Sequence, residues 1–349
     1  MRPLLEVNYP AERDAAAWER RHAAGEVPGR WPYGLDEIVA ATDPAAGSDA
    51  PFDVVRRSVA RPSRWLRAVR RVPLPALGRP RIGLGWDENM ALRMEGPSRY
   101  RARVAGAIWV SDAVAAGRTD RTTQARLARL RELDAVWCLS EPQVDALREQ
   151  LGPGAPPVRF VGFGVDPTFY AARPYPDRAP TVVSIGGDRD RDAATLFAAL
   201  EEVGRARPGT GMIVQTTSEL PPPPGVRTER YFTHRQLREL YAQASVVAIA
   251  TRPNLHVSGM TVALEAMSTG RPVVLTRTPG MEHYVREGRT GFLTTTGDAP
   301  AMAERILHLL DHPDQAADLG AGGRRHVEEH ASSARLAAQL RAIVTDVLP

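Results

Sequence analysis

Short apolar runs alternate with amphipathic segments along the first half of the chain. Five runs rich in β-branched, aromatic and other apolar residues predict strands: PLLEVNY, RIGLGW, GAIWVSD, DAVWCLS and PPVRFVGFG. Helical patterns over residues 119–133 and 141–152 separate the later runs, and Gly152 ends the second helix. This alternation is typical of βα units and parallel sheets.

The same alternation starts again after Arg173–Pro180, whose Pro and polar residues are typical of an interdomain linker. The predicted strands of the second half are TVVSIGG, GMIVQTT, SVVAIAT and RPVVLT, with helices between and after them. The pattern predicts an α/β protein with two doubly wound, Rossmann-like domains, residues 1–173 and 174–330. Sheets of this kind bind ligands at the carboxyl ends of their strands, so a site in a cleft between the domains is expected.

Composition favours a folded, soluble protein. The chain has 349 residues, more than one hydrophobic core usually holds, and its hydrophobic and charged fractions of 43% and 25% are those of a globular protein. The absence of a long apolar run and of a signal-peptide core predicts a cytoplasmic location. The single Cys138 lies in a predicted strand and is expected to be a core residue.

All 45 basic residues are Arg, which with the abundance of Ala, Pro and Gly indicates a GC-rich, actinobacterial coding sequence. The net charge of +4 gives no reason to expect a nucleic-acid partner. The segment Arg56 to Arg81 is denser, with nine Arg and no acidic residue. It could contact an anionic membrane surface, or it could be a solvated helix and loop interrupted by Pro.

The stretch SGMTVALEAMSTG, Ser258 to Gly270, predicts a helix that begins just after the strand SVVAIAT. Ser258 is the predicted N-cap, and the first-turn amides up to Thr261 would form an anion site of the kind that holds phosphate. Glu265 lies two turns into this apolar helix, where a buried carboxylate is costly without a partner. It could accept hydrogen bonds from ligand hydroxyl groups, or it could pair with an Arg or a backbone amide.

The residues from Ser258 to Gly297 resemble the donor-site region of retaining glycosyltransferases of family 4, which have the GT-B fold. Their pattern is a Glu, seven residues and then Glu-Ala-Met, a Gly-x-Pro-Val-Val strand and a later Gly-Phe-Leu; the residues matching it are Glu265, Ala266, Met267, Gly270, Pro272, Val273, Gly291 and Phe292. The loop Gly164-Val165-Asp166 also resembles the end of the family's first domain. The resemblance implies that Glu265 contacts the ribose hydroxyls of a nucleotide sugar and that residues 331–349 form a helix returning to the first domain.

In this family, the loop after the first strand of the second domain offers an Arg and a Lys to the donor diphosphate. Arg191 takes the place of the Lys by its spacing to Leu196, and Arg189 is the closer match for the Arg. Gly187 belongs to the same loop, and Met260 and Gly259 to the helix start that would hold the phosphates and the sugar. The alternation Asp188-Arg189-Asp190 could instead hold a divalent metal ion, although the interleaved Arg residues disfavour a cation, and no metal or other cofactor is expected.

Two departures from the family pattern stand out. The first Glu of the pair should be at position 257, which is Val, and the neighbouring His256 could replace it only in part. The family's Gly-rich loop after the first strand is also not recognisable. The segment HAAGEVPGRWPYG in its place could form an acceptor lid with Trp31 and Tyr33 as stacking surfaces, or an ordinary connection.

Three carboxylates of the first domain are candidates for activating an acceptor hydroxyl. Asp87 and Glu88 follow the apolar strand RIGLGW, and Asp112 ends GAIWVSD. A carboxylate at the carboxyl end of a strand would face the expected cleft, although each could equally cap a helix.

The resemblance implies a glycosyltransferase that moves a sugar from a nucleotide sugar to a small-molecule acceptor, such as a secondary metabolite or an envelope precursor, with retention and without metal. A hexosyl or pentosyl group, and a homo-oligomeric state, stay open. Two alternatives remain because Val257 replaces a carboxylate: a nucleotide-sugar-binding scaffold without transfer activity, or an epimerase or pseudo-glycosyltransferase that uses the same cleft.

Overall fold

The computed structural model describes residues 2–40, 51–60 and 78–348. The chain divides into two units: the first comprises residues 1–24, 29–162 and 334–349, and the second comprises residues 25–28 and 163–333. Residues 163–173, assigned above to the first domain, therefore group with the second unit. Within the described residues, no helix is long and apolar enough to cross a membrane.

The first unit contains a six-stranded parallel sheet with the strand order β2-β1-β3-β4-β5-β6. Its strands are β1 (Leu4–Pro10), β2 (Asp53–Val59), β3 (Arg81–Gly85), β4 (Ala102–Gly106), β5 (Ala135–Cys138) and β6 (Val158–Phe160). Its described helices are α1 (Ala15–Ala23), α2 (Glu37–Ala40), α3 (Glu88–Arg93), α4 (Val110–Ala115), α5 (Arg121–Arg131), α6 (Glu141–Leu151) and α12 (Ser333–Asp346). The predicted strands around β1, β3, β5 and β6 are confirmed, and buried Cys138 is a core residue as expected.

The prediction of a strand over GAIWVSD is wrong. The strand β4 ends at Gly106, and residues 110–115 form the helix α4 instead. The apolar residues Ala107, Ile108 and Val110 are buried in either conformation, and a short buried run does not distinguish a strand from a helix. A side chain at Gly106 would overlap the carbonyl oxygen of Trp86, so this strand needs glycine where it closes against its neighbour.

The strand β2 was not predicted. Its sequence DVVRRSV pairs in parallel with β1 over its whole length at the edge of the sheet, where polar side chains are tolerated. Arg56 and Arg57 therefore lie in a strand and not in the solvated helix and loop expected for this segment. Residues 61–77, most of the proposed membrane-contact segment, lie outside the described residues.

The second unit contains another six-stranded parallel sheet, with the order β12-β11-β10-β7-β8-β9. Its strands are β7 (Thr181–Ser184), β8 (Gly211–Gln215), β9 (Val226–Glu229), β10 (Val246–Ile249), β11 (Val273–Thr276) and β12 (Gly291–Thr294). Its helices are α7 (Ala193–Ala206), α8 (His234–Gln243), α9 (Met260–Ser268), α10 (Ala299–Asp311) and α11 (Pro313–His330). The four strands predicted here are confirmed, and β9 and β12 are additional. Two α/β units with parallel sheets are the predicted fold class.

Buried Arg271 ties the segment Arg173–Pro180 to the second unit. Its Nη2 atom donates to the carbonyl oxygens of Arg173 at 3.0 Å and Pro174 at 2.6 Å. Burial lowers the pKa of Arg271 to about 10, so its guanidinium stays charged at neutral pH. The segment predicted as a linker is thus anchored by hydrogen bonds at its start.

Candidate functional site

The candidate site lies at the carboxyl edge of the second unit's sheet. The loop after β7 carries residues Ile185 to Asp192, and the start of α9 follows β10. The strands β7 and β10 are parallel neighbours in this sheet. The loops that follow them therefore emerge at the same edge. An isolated antiparallel bridge between Arg191 and Thr251 joins the two loops.

The helix α9 begins without a side-chain cap. Its N-cap residue is Gly259, with φ of 101°, and no side chain accepts a hydrogen bond from its first turn. The prediction that Ser258 caps this helix is wrong, because the Ser258 hydroxyl donates to Asp188 Oδ2 at 2.8 Å instead. The Met260 amide donates to the carbonyl oxygen of Val257 at 3.1 Å, whereas no side chain caps the Thr261 amide, as an anion site at a helix start requires.

Arg191 is the cation at this helix start. Its guanidinium packs against two glycines: a Cβ atom at Gly186 would lie 2.5 Å from Nη2, and one at Gly259 would lie 2.8 Å from Nη1. The Nε and Nη1 atoms are buried and have no hydrogen-bond partner within the described chain. Burial lowers the pKa of Arg191, partly offset by the charge of Asp188. Buried polar groups are rarely left unpaired, so this guanidinium indicates a place for an anionic ligand.

Further unpartnered polar atoms follow other strands of the same sheet. They are Gln215 Oε1 at the end of β8, Thr251 Oγ1 after β10 and Thr278 Oγ1 after β11, and each is buried without a hydrogen-bond partner in the described structure. These three residues were not predicted as site residues, since a lone Thr or Gln after a strand forms no distinctive sequence pattern. Their common position after parallel strands supports a ligand site along this edge.

Asp188, Asp190 and His256 form a cluster beside the helix start. His256 Nε2 lies 3.3 Å from Asp188 Oδ2 and 3.7 Å from Asp190 Oδ2. Burial works against the charge on Asp188, but hydrogen bonds from His256 and Ser258 and the charge of Arg191 outweigh it and hold its pKa well below the usual range. One ligand atom from each of the three side chains lies within 4.8 Å of the others, a spacing that a metal ion could bridge. Arg189 is half-exposed and donates to Asp190 Oδ2 at 3.0 Å.

Glu265 is buried between two tyrosines, with 6% of its surface exposed. Its oxygens accept hydrogen bonds from the hydroxyls of Tyr170 at 2.9 Å and Tyr241 at 2.8 Å. Burial raises the pKa of Glu265 to about 7, and the two tyrosine hydrogen bonds limit the rise. Neither tyrosine was predicted from the sequence, although Tyr170 lies shortly after the loop Gly164-Val165-Asp166.

His234 extends this network. Its Nδ1 atom lies 3.0 Å from the hydroxyl of Tyr170, which itself donates to Glu265. His234 is the first residue of α8 and does not cap it, since Thr233 forms a capping box with Gln236. The histidine is therefore connected to Glu265 through one tyrosine.

Glu88 and Asp112, two of the three carboxylates predicted to activate an acceptor, do not lie where they were expected. Glu88 is fully buried and accepts hydrogen bonds from the amides of Ile108 at 2.9 Å and Trp109 at 3.0 Å, and burial raises its pKa. It is not open to an acceptor at the end of a strand as expected, because the amides of the segment after β4 enclose its carboxylate. Asp112 lies in the first turn of α4 and not at the end of a strand, so its predicted position is also wrong.

Asp87 does follow the strand β3, as predicted, and it caps the helix α3. Its Oδ1 atom accepts a hydrogen bond from the amide of Met90 at 2.7 Å. The side chain is partly exposed. Capping, the alternative weighed for this residue, is therefore what Asp87 does in the structure, and a role towards an acceptor stays a prediction.

The two aromatic residues predicted to line an acceptor lid have partners inside the first unit. Trp31 is 7% exposed and its indole N–H donates to Glu19 at 3.0 Å, so it offers no open stacking surface and that expectation is wrong. Tyr33 stacks on Trp86 with 4.0 Å between ring centroids. Its hydroxyl accepts a hydrogen bond from Arg13 at 2.8 Å, so one ring face and the hydroxyl of Tyr33 are already occupied.

A protein-family model matches part of the second unit. Residues 209–312 match the model of the family Glycosyl transferases group 1, which confirms the resemblance over this segment. Over 145 residues the chain is 32% identical to a D-inositol 3-phosphate glycosyltransferase of Thermobispora bispora, covering 42% of this chain and 32% of that protein. The chain spans less than half the length of the curated relatives it matches.

Two solved structures match almost the whole chain. The sucrose-phosphate synthase from Thermosynechococcus elongatus has a TM-score of 0.70 at 18% identity, covering 99% of both chains. The Anabaena protein HepE in complex with UDP-glucose has a TM-score of 0.67 at 13% identity, covering 99% of this chain and 100% of that one. The fold is the predicted GT-B fold.

Proposed function

We propose that this GT-B chain, whose residues 209–312 match the group 1 glycosyltransferases, transfers a sugar from a nucleotide sugar to an acceptor. The observation that carries the proposal is the buried, unpartnered guanidinium of Arg191 against Gly186 and Gly259 at the uncapped start of α9. A guanidinium beside a helix start without a side-chain cap suits a diphosphate, which offers several charged oxygens to such donors. A structural relative, HepE, is solved with UDP-glucose bound, which supports this ligand class.

In this proposal the diphosphate contacts Arg191, the loop at Gly187 and the first turn from Gly259 to Thr261. Arg189 reaches the same anion after leaving its exposed pairing with Asp190, which costs little at the surface. Ser258 and His256 line the sugar side of the helix start. Glu265 accepts the ribose hydroxyls, exchanging or sharing its tyrosine partners when the nucleotide binds.

The proposed reaction breaks the bond between the anomeric carbon and the diphosphate oxygen. Negative charge then develops on the leaving diphosphate, where the guanidinium of Arg191 stabilises it. The acceptor oxygen forms its bond to the anomeric carbon on the face that the diphosphate leaves, so configuration is retained, and its proton passes to a diphosphate oxygen. No metal ion takes part in this scheme. The first unit binds the acceptor, a secondary metabolite or an envelope precursor, with Asp87 near its hydroxyl.

The test compares Arg191→Gln with Arg205→Gln, a control at an exposed Arg of α7. Affinities for UDP, ADP, GDP and dTDP are measured by titration calorimetry, and circular dichroism checks that each variant is folded. We expect Arg191→Gln to weaken binding of the preferred diphosphate roughly 10- to 100-fold, since a charged hydrogen bond contributes about 1.5–3 kcal/mol. The control should bind like the wild type.

Equal affinity of Arg191→Gln and the wild type would contradict the proposed anion site. Turnover is followed with the glucose esters of the same nucleotides, including slow hydrolysis in the absence of an acceptor. Activity should persist in EDTA, and its loss would refute the metal-free scheme. Tight binding of every donor without any turnover would favour the scaffold alternative.

A further inference from the structure

The position where the family pattern places its first Glu has no polar side chain. Val257 is fully buried and has φ of 51°, an unusual backbone conformation for a β-branched residue. Its two neighbours point elsewhere: the Ser258 hydroxyl and the His256 ring both reach the same oxygen, Asp188 Oδ2, at 2.8 and 3.3 Å. The strand-to-helix connection thus holds a carboxylate that comes from another loop.

The loop that carries Asp188 is held in place by backbone hydrogen bonds. The Asp188 carbonyl accepts from the Arg191 amide at 3.1 Å, which closes a turn. The amide of Asp192 donates to Ala250 and the amide of Arg252 donates to Asp190, at 3.0 and 2.8 Å. These bonds join the loop to the end of β10, so the Asp188 carboxylate has a defined position beside the start of α9.

The carboxylate of Asp188 remains accessible to a ligand. Its side chain is 29% exposed. While Oδ2 is held by Ser258 and His256, Oδ1 accepts only a long bond of 3.4 Å from the amide of Asp190 among the described residues. A carboxylate offers about four lone-pair positions, so Asp188 can accept further hydrogen bonds without losing its present partners.

An ionised carboxylate here is unsuited to contact a phosphate or any other anion. Its charge repels a diphosphate, which Arg191 and the amides of α9 must outweigh. A carboxylate is, however, well suited to accept hydrogen bonds from two neighbouring hydroxyl groups. The same charge would disfavour a donor whose sugar is itself an acid, because like charges brought together reduce affinity.

We infer that Asp188, held by Ser258 and His256, is the residue that recognises the hydroxyl groups of the donor sugar and selects an uncharged sugar over an acidic one. This inference rests on the proposed function, since it assigns the sugar-binding part of the same donor site. Asp188 thereby supplies from the β7–α7 loop the carboxylate that position 257 lacks.

A divalent cation is the competing occupant of the cluster, given the 4.8 Å spacing of the Asp188, Asp190 and His256 ligand atoms. The positive charge of Arg189, whose Nε lies 3.0 Å from Asp190 Oδ2, disfavours a cation there in the ligand-free protein. Binding measurements with EDTA and with added Mn²⁺ decide between the two. Affinity for the sugar that disappears in EDTA would overturn the direct role of Asp188.

The experiment uses the full chain and measures affinities by titration calorimetry in EDTA. The probes are the nucleoside diphosphate that binds the wild type best among UDP, ADP, GDP and dTDP, and its glucose and glucuronate esters. Asp188→Asn is compared with Asp318→Asn, a control at an exposed Asp of α11. Ser258→Ala, which removes the 2.8 Å hydrogen bond but keeps the carboxylate, is the second variant.

We expect Asp188→Asn to bind the glucose ester about 10-fold more weakly, as loss of a hydrogen bond to a charged group implies. The free diphosphate should bind as tightly as before or more tightly, and the glucuronate ester more tightly, because a repelling charge is removed. Ser258→Ala should weaken the glucose ester by a smaller factor. A crossover of this kind cannot result from general loss of structure.

An equal loss of affinity for diphosphate and glucose ester in Asp188→Asn, or no change in either, would overturn the inference and leave the proposed function intact. A wild type that binds none of the four diphosphates would instead overturn the proposed function, and the inference with it.

Discussion

Glu265 is a buried carboxylate whose two oxygens both have hydrogen-bond partners. Its carboxylate is buried, yet both oxygens accept hydrogen bonds from tyrosine hydroxyls, Tyr170 and Tyr241. Burial favours the neutral acid and the tyrosines favour the anion, which leaves the pKa at about 7. The charge of Glu265 is therefore balanced near neutrality, and a ligand that donates hydroxyl groups would shift it towards the anion.

Binding of the nucleoside diphosphate should depend on pH through the ionisation of Glu265. The wild type should bind its nucleoside diphosphate more tightly at pH 8 than at pH 6, because ionised Glu265 is the better acceptor for ribose hydroxyls. The Gln variant should bind more weakly at pH 8 and should lose this pH dependence. Titration calorimetry at both pH values measures the effect, with Glu304→Gln at an exposed site of α10 as the control. The terminal phosphate of the ligand also ionises in this range, so a pH dependence equal in size in Glu265→Gln and the wild type would contradict the assignment.

Stability should change with pH in the opposite sense. The pKa of Glu265 in the folded protein, about 7, is above its ordinary value of 4.5, so the folded state binds the proton more tightly. The stabilisation is fully present below about pH 4.5 and is lost as pH rises through 7, with an upper limit of about 3 kcal/mol. Urea unfolding at pH 5 and pH 8 should show a smaller loss for Glu265→Gln than for the wild type.

The helix α9 depends on glycine at its N-cap for two separate reasons. Gly259 has φ of 101°, where other residues are strained, and its missing Cβ leaves room for the Arg191 guanidinium. The second reason connects the helix to the anion site, since a methyl group there would push Nη1 out of its position.

Gly259→Ala is expected to affect ligand binding as well as stability. The control is Gly209→Ala, because Gly209 also has positive φ, 88°, but a Cβ there would meet nothing within 4 Å. Both variants should lose roughly 1 kcal/mol or more of unfolding free energy through backbone strain. Only Gly259→Ala should also weaken diphosphate binding, by about 10-fold or more if the Arg191 contact is lost. Similar affinities of the two variants would show that Arg191 does not need this space.

The two units bury separate cores, and the donor-site residues discussed above lie in the second. Leu340 of α12 is fully buried and belongs to the first unit, whereas Leu200 of α7 is buried in the second. The chain therefore offers matched positions for separating effects on stability from effects on the donor site.

Leu340→Ala should destabilise the first unit by about 2–5 kcal/mol, the usual cost of a cavity at a buried Leu. Its affinity for the nucleoside diphosphate at 20 °C should equal that of the wild type. Leu200→Ala should lower the unfolding midpoint of the second unit, and the diphosphate should raise this midpoint because it binds that unit. Denaturant unfolding with and without ligand measures both, and a changed affinity in Leu340→Ala would indicate that the donor site depends on the first unit.

The local pattern of apolar and polar residues predicted most helices and strands correctly and failed for a few. Strands such as β7 and β10 are continuous apolar runs bounded by turn residues, so their type is evident. The edge strands β2 and β9 carry polar residues on several positions and were missed, because their stability comes from pairing with a neighbour. The buried segment after β4 was predicted as a strand but forms the helix α4. Its environment, not its composition, selects the helix.

The sequence, through its resemblance to the family pattern, identified residues of the proposed donor site: Arg191 in the loop after β7, glycine at the start of α9, and Glu265 within it. A linear pattern preserves such local matches. It could not assign partners, because parallel strands bring loops from distant parts of the chain to one edge. Glu265 meets Tyr170 across 95 positions, and His256 meets Asp188 across 68. Only packing in three dimensions places Asp188 beside Val257 and buries Glu88, since the energy of a carboxylate depends on what surrounds it and not on its position in the chain.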